Sequence, residues 1–335
     1  MHAHPTSKIR RALTAVSLTA LCAASAALTT VVVRPSTTAP AAAIAVDSST
    51  FAPPSQALES AAPPPAAAPP LAAPPALVSA VGSCVQVPIL VYHYIRINTN
   101  PADHLGYELS VTPNEFREQM DWLRQAGGHP ITFAQLFDAL RGAHALPSRP
   151  VLLTFDDGYD NFATVAAPDL AHEGFVATAY VVSGFIGRPY YMSAAQVRQV
   201  ASMGMVIGAH TVHHLRLTAL PPQAAAIEIK ASKLALEQLL GRPVSDFAYP
   251  YGSWSPALAA MVAQDGFNDA TTLDYGATQC LAQAFSMRRI RVTGDDTVWS
   301  FAAKAGVAAP PVNWVDAQLR AFLSSAPSAP YTRAR

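Results

Sequence analysis

From about residue 83 to residue 323 the chain alternates short apolar runs with stretches in which apolar residues recur every three or four positions. Residues 87–94 (VPILVYHY) read as a first strand, and residues 151–155 (VLLTF) as a strand buried on both faces. Further strands are expected at 176–182, 204–210, 246–250 and 269–273, the last from its Thr-rich centre. Between them lie helical patterns. One follows Thr112 as N-cap, with Pro113 at its first position, Phe116, Met120 and Leu123 on one face and Gly127 at its end. A second starts after Thr132 with Leu136, Phe137 and Leu140 on one face, and a third covers 222–241 and ends at Gly241. Strands alternating with helices imply an α/β fold with a parallel sheet, and the number of repeats without a dinucleotide-type glycine signature favours a closed or nearly closed barrel. A helix around 314–323 is expected to close the domain.

Composition adds a frame to this core. The 335 residues are 51% hydrophobic with a formal net charge of zero, and charge is sparse and mixed in sign, which speaks against nucleic acid as a partner. Lys8, Arg10 and Arg11 precede an uncharged run from residue 12 to 33, so 1–34 reads as a signal peptide or a membrane anchor. Ala24-Ser25-Ala26 offers a small-residue cleavage site, whereas Leu21 before Cys22 does not suit lipid attachment. Residues 35–83, mostly Ala, Pro, Ser and Thr, read as an extended spacer with no core of its own, and 324–335 as a flexible tail. The expected location is exported: periplasm, cell envelope or extracellular, possible inner-membrane anchorage included. Cys84 and Cys280 fit either a disulfide formed in an oxidising compartment or two separate buried thiols. A monomer is expected.

Chemistry gathers at the ends of the expected strands. Asp156 and Asp157 follow VLLTF directly, and Gly158 permits a sharp turn that brings both carboxylates to one pocket. Two ionised carboxylates so close ask for a cation, a shared proton, or an exposed turn without function. In GAHTVHHL, His210 and His214 lie four apart with His213 between them; on a helical turn that spacing binds one cation, on an extended strand it does not. Two histidines with one carboxylate make a three-ligand site with open positions, suited to a catalytic metal, non-haem iron included. The second aspartate, a spare base, tilts the choice toward hydrolysis. Tyr249-Pro250-Tyr251-Gly252 promises a rigid turn whose backbone N–H groups suit an oxyanion, with an ordinary turn as the alternative. His93 follows the first apolar run; taken alone, such a histidine is more often a satisfied core or rim residue.

TFDDGYDN, HTVHH and YPYG, in that order and on those elements, resemble the three leading motifs of the polysaccharide deacetylase family (carbohydrate esterase family 4, the NodB-homology domain). The likeness covers residues 87–292 within a domain placed at 84–323. It implies a distorted (β/α) barrel that removes N- or O-acetyl groups from a polysaccharide with a divalent metal. Carried over by motif, Asp156 is the base and Asp157, His210 and His214 are the metal ligands, His213 is not a ligand, and Tyr251 and Pro250 belong to the oxyanion and substrate side. Zinc is the default ion for such donors, with nickel or cobalt as alternatives.

The pattern is broken in two places. The family arginine two positions before Pro-Tyr-Gly is Ala248 here, and a late Leu-x-His motif supplying the general acid is missing, since the region reads MRRIRVTGDD. The opening PILVYHYI and the later LSVTPNEFREQMDWLRQAGG are similar to the subgroup that deacetylates poly-N-acetylglucosamine, in which the domain is circularly permuted; that makes His93 the general acid, and Arg289 or Arg291 candidates for the absent arginine. The expected activity is therefore N-deacetylation of an N-acetylglucosamine polymer. An O-acetyl esterase on a xylan-like polymer and a catalytically silent carbohydrate-binding protein are the alternatives. Tyr190, Tyr191 and Trp254 are candidates for stacking on sugar rings.

Overall fold

Seven parallel strands close on themselves in sequence order: β1 (Ile89–Tyr92), β2 (Pro150–Phe155), β3 (Thr178–Val181), β4 (Val206–Ala209), β5 (Asp246–Ala248), β6 (Asp269–Tyr275) and β7 (Met287–Arg291), with β7 pairing back to β1. This computed structural model describes residues 83–100 and 102–314. The expected leader or anchor, the spacer except Ser83, the closing helix beyond Trp314 and the tail all lie outside the described residues. Among the described residues no helix is long and apolar enough to cross a membrane.

The barrel follows from the strands' two apolar faces. Leu90 and Tyr92 of β1, and Val151, Leu153 and Phe155 of β2, join one hydrophobic cluster with the helices. The intervening Ile89 and Leu152 join a second cluster with Tyr180, Ala248 and Met287. Alternate side chains of a strand point to opposite sides, so residues apolar at every position need cover on both, and a parallel barrel inside a helical layer supplies it. The helix Pro113–Gln125 begins with a capping box between Thr112 and Glu115, and Phe133–Leu140 with one between Thr132 and Gln135, as the N-cap threonines promise. The helix Pro222–Leu240 stops at Gly241, whose φ of 66° is the left-handed turn that glycine accepts at least cost.

Two differences from the sequence pattern bear on the site, and one open alternative, that of the cysteines, closes on the disulfide. The expected strand 87–94 breaks at His93: Tyr94–Ile95 leaves the barrel to pair with Ser110–Val111. The strand that closes the barrel is Met287–Arg291, whose three arginines in five residues conceal its role; Arg289 is 1% exposed. Cys84 and Cys280 form a disulfide between cross-strand partners in the antiparallel ribbon Cys84–Gln86 with Thr278–Cys280.

Candidate active site

The carboxyl ends of β1, β2, β4 and β5 share one rim. At the end of β2 the Asp156 N–H still donates to Tyr92 O of β1 at 3.0 Å, which keeps that residue in the ladder. Asp157 and Gly158 then both turn left-handed, with φ of 73° and 76°, and this double reversal aims the two carboxylates differently. Asp156 goes inward. Arg289 Nη1 and Nη2 donate to its Oδ1 and Oδ2, each at 2.7 Å; the same guanidinium donates from Nε to Thr272 O at 2.8 Å and from Nη1 to Thr154 Oγ1 at 3.2 Å. Burial alone would raise the Asp156 pKa, but the Arg289 charge and hydrogen bonds overcome it and hold the carboxyl below its ordinary range. Arg289 thus occupies the place beside Asp156 that Ala248 leaves vacant, while Arg291 reaches Glu108 at 3.3 Å instead.

Asp157 turns toward the histidines. His210 and His214 lie neither on a helical turn nor on an extended strand. Their loop instead reverses at two left-handed residues, Thr211 with φ of 67° and His214 with φ of 55°, and the His214 N–H donates to Thr211 Oγ1 at 3.0 Å. Asp157 Oδ1 then lies 3.4 Å from His210 Nε2 and 3.1 Å from His214 Nε2, and one ligand atom from each of the three residues lies within 4.8 Å of the others. His210 Nδ1 sits 2.7 Å from Ala248 O, a carbonyl that only accepts, so the ring's proton is there and its Nε2 lone pair faces Asp157. Asp157 Oδ1 is buried without a hydrogen-bond partner. Acceptors facing one another around an unpartnered buried oxygen fit a cation. A proton on Nε2 competes for the same place: in that state, against burial, His210 and His214 hold Asp157 well below the usual carboxylate range, and Asp157 holds His210 above the ordinary histidine value.

The Tyr249–Gly252 turn follows β5. Tyr251, with φ of 60°, is left-handed, and Gly252 is required because a Cβ there would lie 2.5 Å from Leu273 N. The Tyr251 ring lies 4.6 Å from the His214 ring and 4.6 Å from the Arg216 guanidinium, and Pro250 is buried. His93 enters the same cleft of about 370 Å³, together with Asp156, Asp157, His210, His214 and Tyr251. Its Nδ1 is buried without a partner. Burial pushes its pKa below the ordinary histidine value, against the pull of Asp157 and Asp156. Six residues singled out from the sequence as catalytic, ligating or oxyanion-facing therefore line one cleft, and Pro250 precedes Tyr251 in the turn beside it. A larger cavity of about 540 Å³ lies where the strands begin and includes none of them. Of the candidate stacking residues, Tyr190 is exposed, Tyr191 stacks on Tyr159 at 5.1 Å, and Trp254 Nε1 donates to Asp274 at 3.1 Å.

Glu228 was not legible as part of this site. It lies on the helix Pro222–Leu240, 7% exposed, and its carboxylate accepts from the backbone N–H groups of Val212 and His213. The only hint in the sequence is a charge inside the run AAIEIKA.

Residues 143–270 match the family model described as Polysaccharide deacetylase. The chain is 28% identical over 208 residues to YxkH of Bacillus subtilis (strain 168), covering 62% of this chain and 72% of that protein. Over 119 residues it is 34% identical to the poly-beta-1,6-N-acetyl-D-glucosamine N-deacetylase of Escherichia coli (strain K12), covering 31% of this chain and 18% of that protein. The Streptococcus pyogenes deacetylase PplD, solved in complex with acetate, superposes with a TM-score of 0.62 at 26% identity over 66% of this chain and 98% of its own.

Proposed function

The chain carries a polysaccharide deacetylase domain, and on that premise we propose that it is an exported, metal-dependent hydrolase that removes N-acetyl groups from an N-acetylglucosamine polysaccharide. The observation that carries the reading is the pairing, on one rim, of the Asp157–His210–His214 cluster with an Asp156 locked by Arg289. The substrate class is that of the E. coli enzyme similar to this chain. Residues 84–323 do the chemistry, 1–34 direct export or anchor the chain, and 35–83 hold the enzyme off the membrane or wall.

Asp157, His210 and His214 hold the ion, for which zinc is our assignment and nickel or cobalt the alternatives. When bound, it supplies a water of lowered pKa and positive charge facing the acetyl carbonyl oxygen. Asp156 accepts a proton from the attacking water, and Arg289 keeps its carboxylate ionised and aimed. The Tyr251 backbone N–H faces the developing oxyanion; the turn's own hydrogen bonds use the N–H groups of Gly252 and Ser253. His93 gives a proton to the departing amine nitrogen, without which an amine is a very poor leaving group. Arg289 also answers the main ground for a silent binding protein, the missing arginine at position 248.

The test is release of free amine from N-acetylglucosamine oligomers by the purified protein, with and without chelator. Amine release that chelator abolishes supports the reading. No release from metal-loaded protein, with acetate freed from O-acetylated xylan instead, would move the assignment to an esterase.

A further inference from the structure

Two histidine ligands four residues apart on a loop need something to hold the loop. A strand's ladder ends at Ala209, no helix begins before residue 217, and Thr211 and His214 both occupy left-handed backbone, which non-glycine residues adopt only when their surroundings impose it. The loop's carbonyl side is tied to the neighbouring strand end: the N–H groups of Ser183 and Gly184 donate to Thr211 O at 3.1 Å and Val212 O at 3.0 Å. Gly184 permits this approach, since a Cβ there would lie 2.5 Å from Val212 O. On the amide side, His214 N–H donates to Thr211 Oγ1 within the loop, and the two N–H groups between them are tied to one side chain from outside it. Glu228 Oε2 accepts from Val212 N–H at 3.0 Å and from His213 N–H at 2.9 Å, and Glu228 Oε1 meets His213 Nδ1 at 2.7 Å.

We infer that Glu228 is the positioning residue of the metal centre: its carboxylate, carried on the helix Pro222–Leu240, fixes the 210–214 loop in the one conformation that directs both imidazoles at Asp157. Two successive backbone N–H groups converging on one carboxylate form an anion nest, and a charged acceptor strengthens both bonds. The helix supplies a rigid mount, so the loop's geometry is set before any ion arrives. His213, whose side chain is 55% exposed, pairs with Glu228 rather than entering the centre. The inference rests on Asp157, His210 and His214 being the metal ligands. It separates two roles within one histidine-rich run: positions 210 and 214 face the ion and position 213 faces the brace.

The experiment titrates chelator-stripped wild-type protein, Glu228→Ala and Glu228→Gln with Co²⁺, reading the visible ligand-field band and the Kd by competition with a chromogenic chelator. Circular dichroism and the thermal midpoint confirm that each variant is folded. Glu228→Ala is expected to weaken Co²⁺ binding about 10- to 100-fold, as removal of an outer-shell partner does elsewhere, and to alter the band. Glu228→Gln, whose amide oxygen still accepts from both N–H groups, recovers most of the affinity. A folded Glu228→Ala that binds Co²⁺ within about twofold of wild type, against that expected range, overturns the inference, as does a Glu228→Gln no better than Ala. Should Glu228→Ala not fold, Glu228→Asp, which withdraws the carboxylate by one methylene, carries the test under the same two readings. Wild-type protein that takes up no Co²⁺ overturns the ligand assignment itself, and is thereby distinguished from a failure of Glu228 alone.

Discussion

Asp156 and Arg289, 133 residues apart in the chain, meet through two parallel hydrogen bonds of 2.7 Å inside the barrel. The fork fixes both carboxylate oxygens at once, which a single ammonium cannot do. Arg289→Lys is therefore expected to lower kcat about 100-fold, the scale that a 1 Å misplacement costs, with bound metal unchanged by elemental analysis. Asp156→Asn retains metal and loses turnover by at least about 10²-fold. Full activity in Asp156→Asn would remove Asp156 from its role as base, and full activity in Arg289→Lys would show that the base does not need the fork.

His214→Ala withdraws one of the three proposed ligands and is expected to leave the protein folded but without stoichiometric metal. Dialysis against zinc followed by elemental analysis checks this, and stoichiometric retention would show that the ion sits elsewhere.

His93→Ala tests the proton donor by comparing two substrates. An amide nitrogen must be protonated to leave, whereas an alkoxide leaves more readily, so the loss is expected to be about 10²–10⁴-fold on an acetamide and clearly smaller on an acetate ester with the same enzyme. Equal losses on both would make His93 a wall of the cleft rather than an acid.

Asp246 and Asp269 are cross-strand partners on β5 and β6, both buried. Burial pushes Asp246 from 3.8 up to about 6, and burial together with the neighbouring Asp246 charge pushes Asp269 well above the ordinary carboxylate range. Between pH 4 and 6 the folded protein thus holds a proton at Asp246 that the unfolded chain has lost, so stability falls as pH rises through that window, and the raised Asp269 carries the fall beyond it. The change is on the order of 3 kcal/mol for a shift of about two units. Thermal midpoints measured across this range are expected to decline for wild type and to stay flatter for Asp246→Asn; parallel profiles would contradict the shift.

The Cys84–Cys280 disulfide closes a segment with a sequence separation of 196. In the chain-entropy description a loop of this size contributes about 5 kcal/mol at most. Reduction is expected to lower the denaturation midpoint, and an unchanged midpoint in reductant would mean that the ribbon stands without it.

Local patterns carried much of this molecule. Fully apolar runs such as Val151–Leu152–Leu153 announced strands covered on both faces, and Thr112 and Thr132 announced helix starts, because periodicity and capping act over a few residues and are written in neighbouring positions. Asp156, Asp157, His210 and His214 were legible for the same reason: their spacing and their places after strands are local facts, as is the position of His93 after β1. What only the tertiary structure decided were relations across the barrel. Which of Arg289 and Arg291 meets Asp156 was hidden in a run that does not look like a strand, since closing the barrel beside β1 and β6 is what turns Arg289 inward. Glu228 was hidden in a helix whose partner loop lies 15 residues away. The left-handed residues Asp157, Thr211 and His214 have no sequence mark of their own, because such conformations are imposed by the contacts they serve. A buried charge is read by its partner, and a partner brought in by folding cannot be seen from either residue alone.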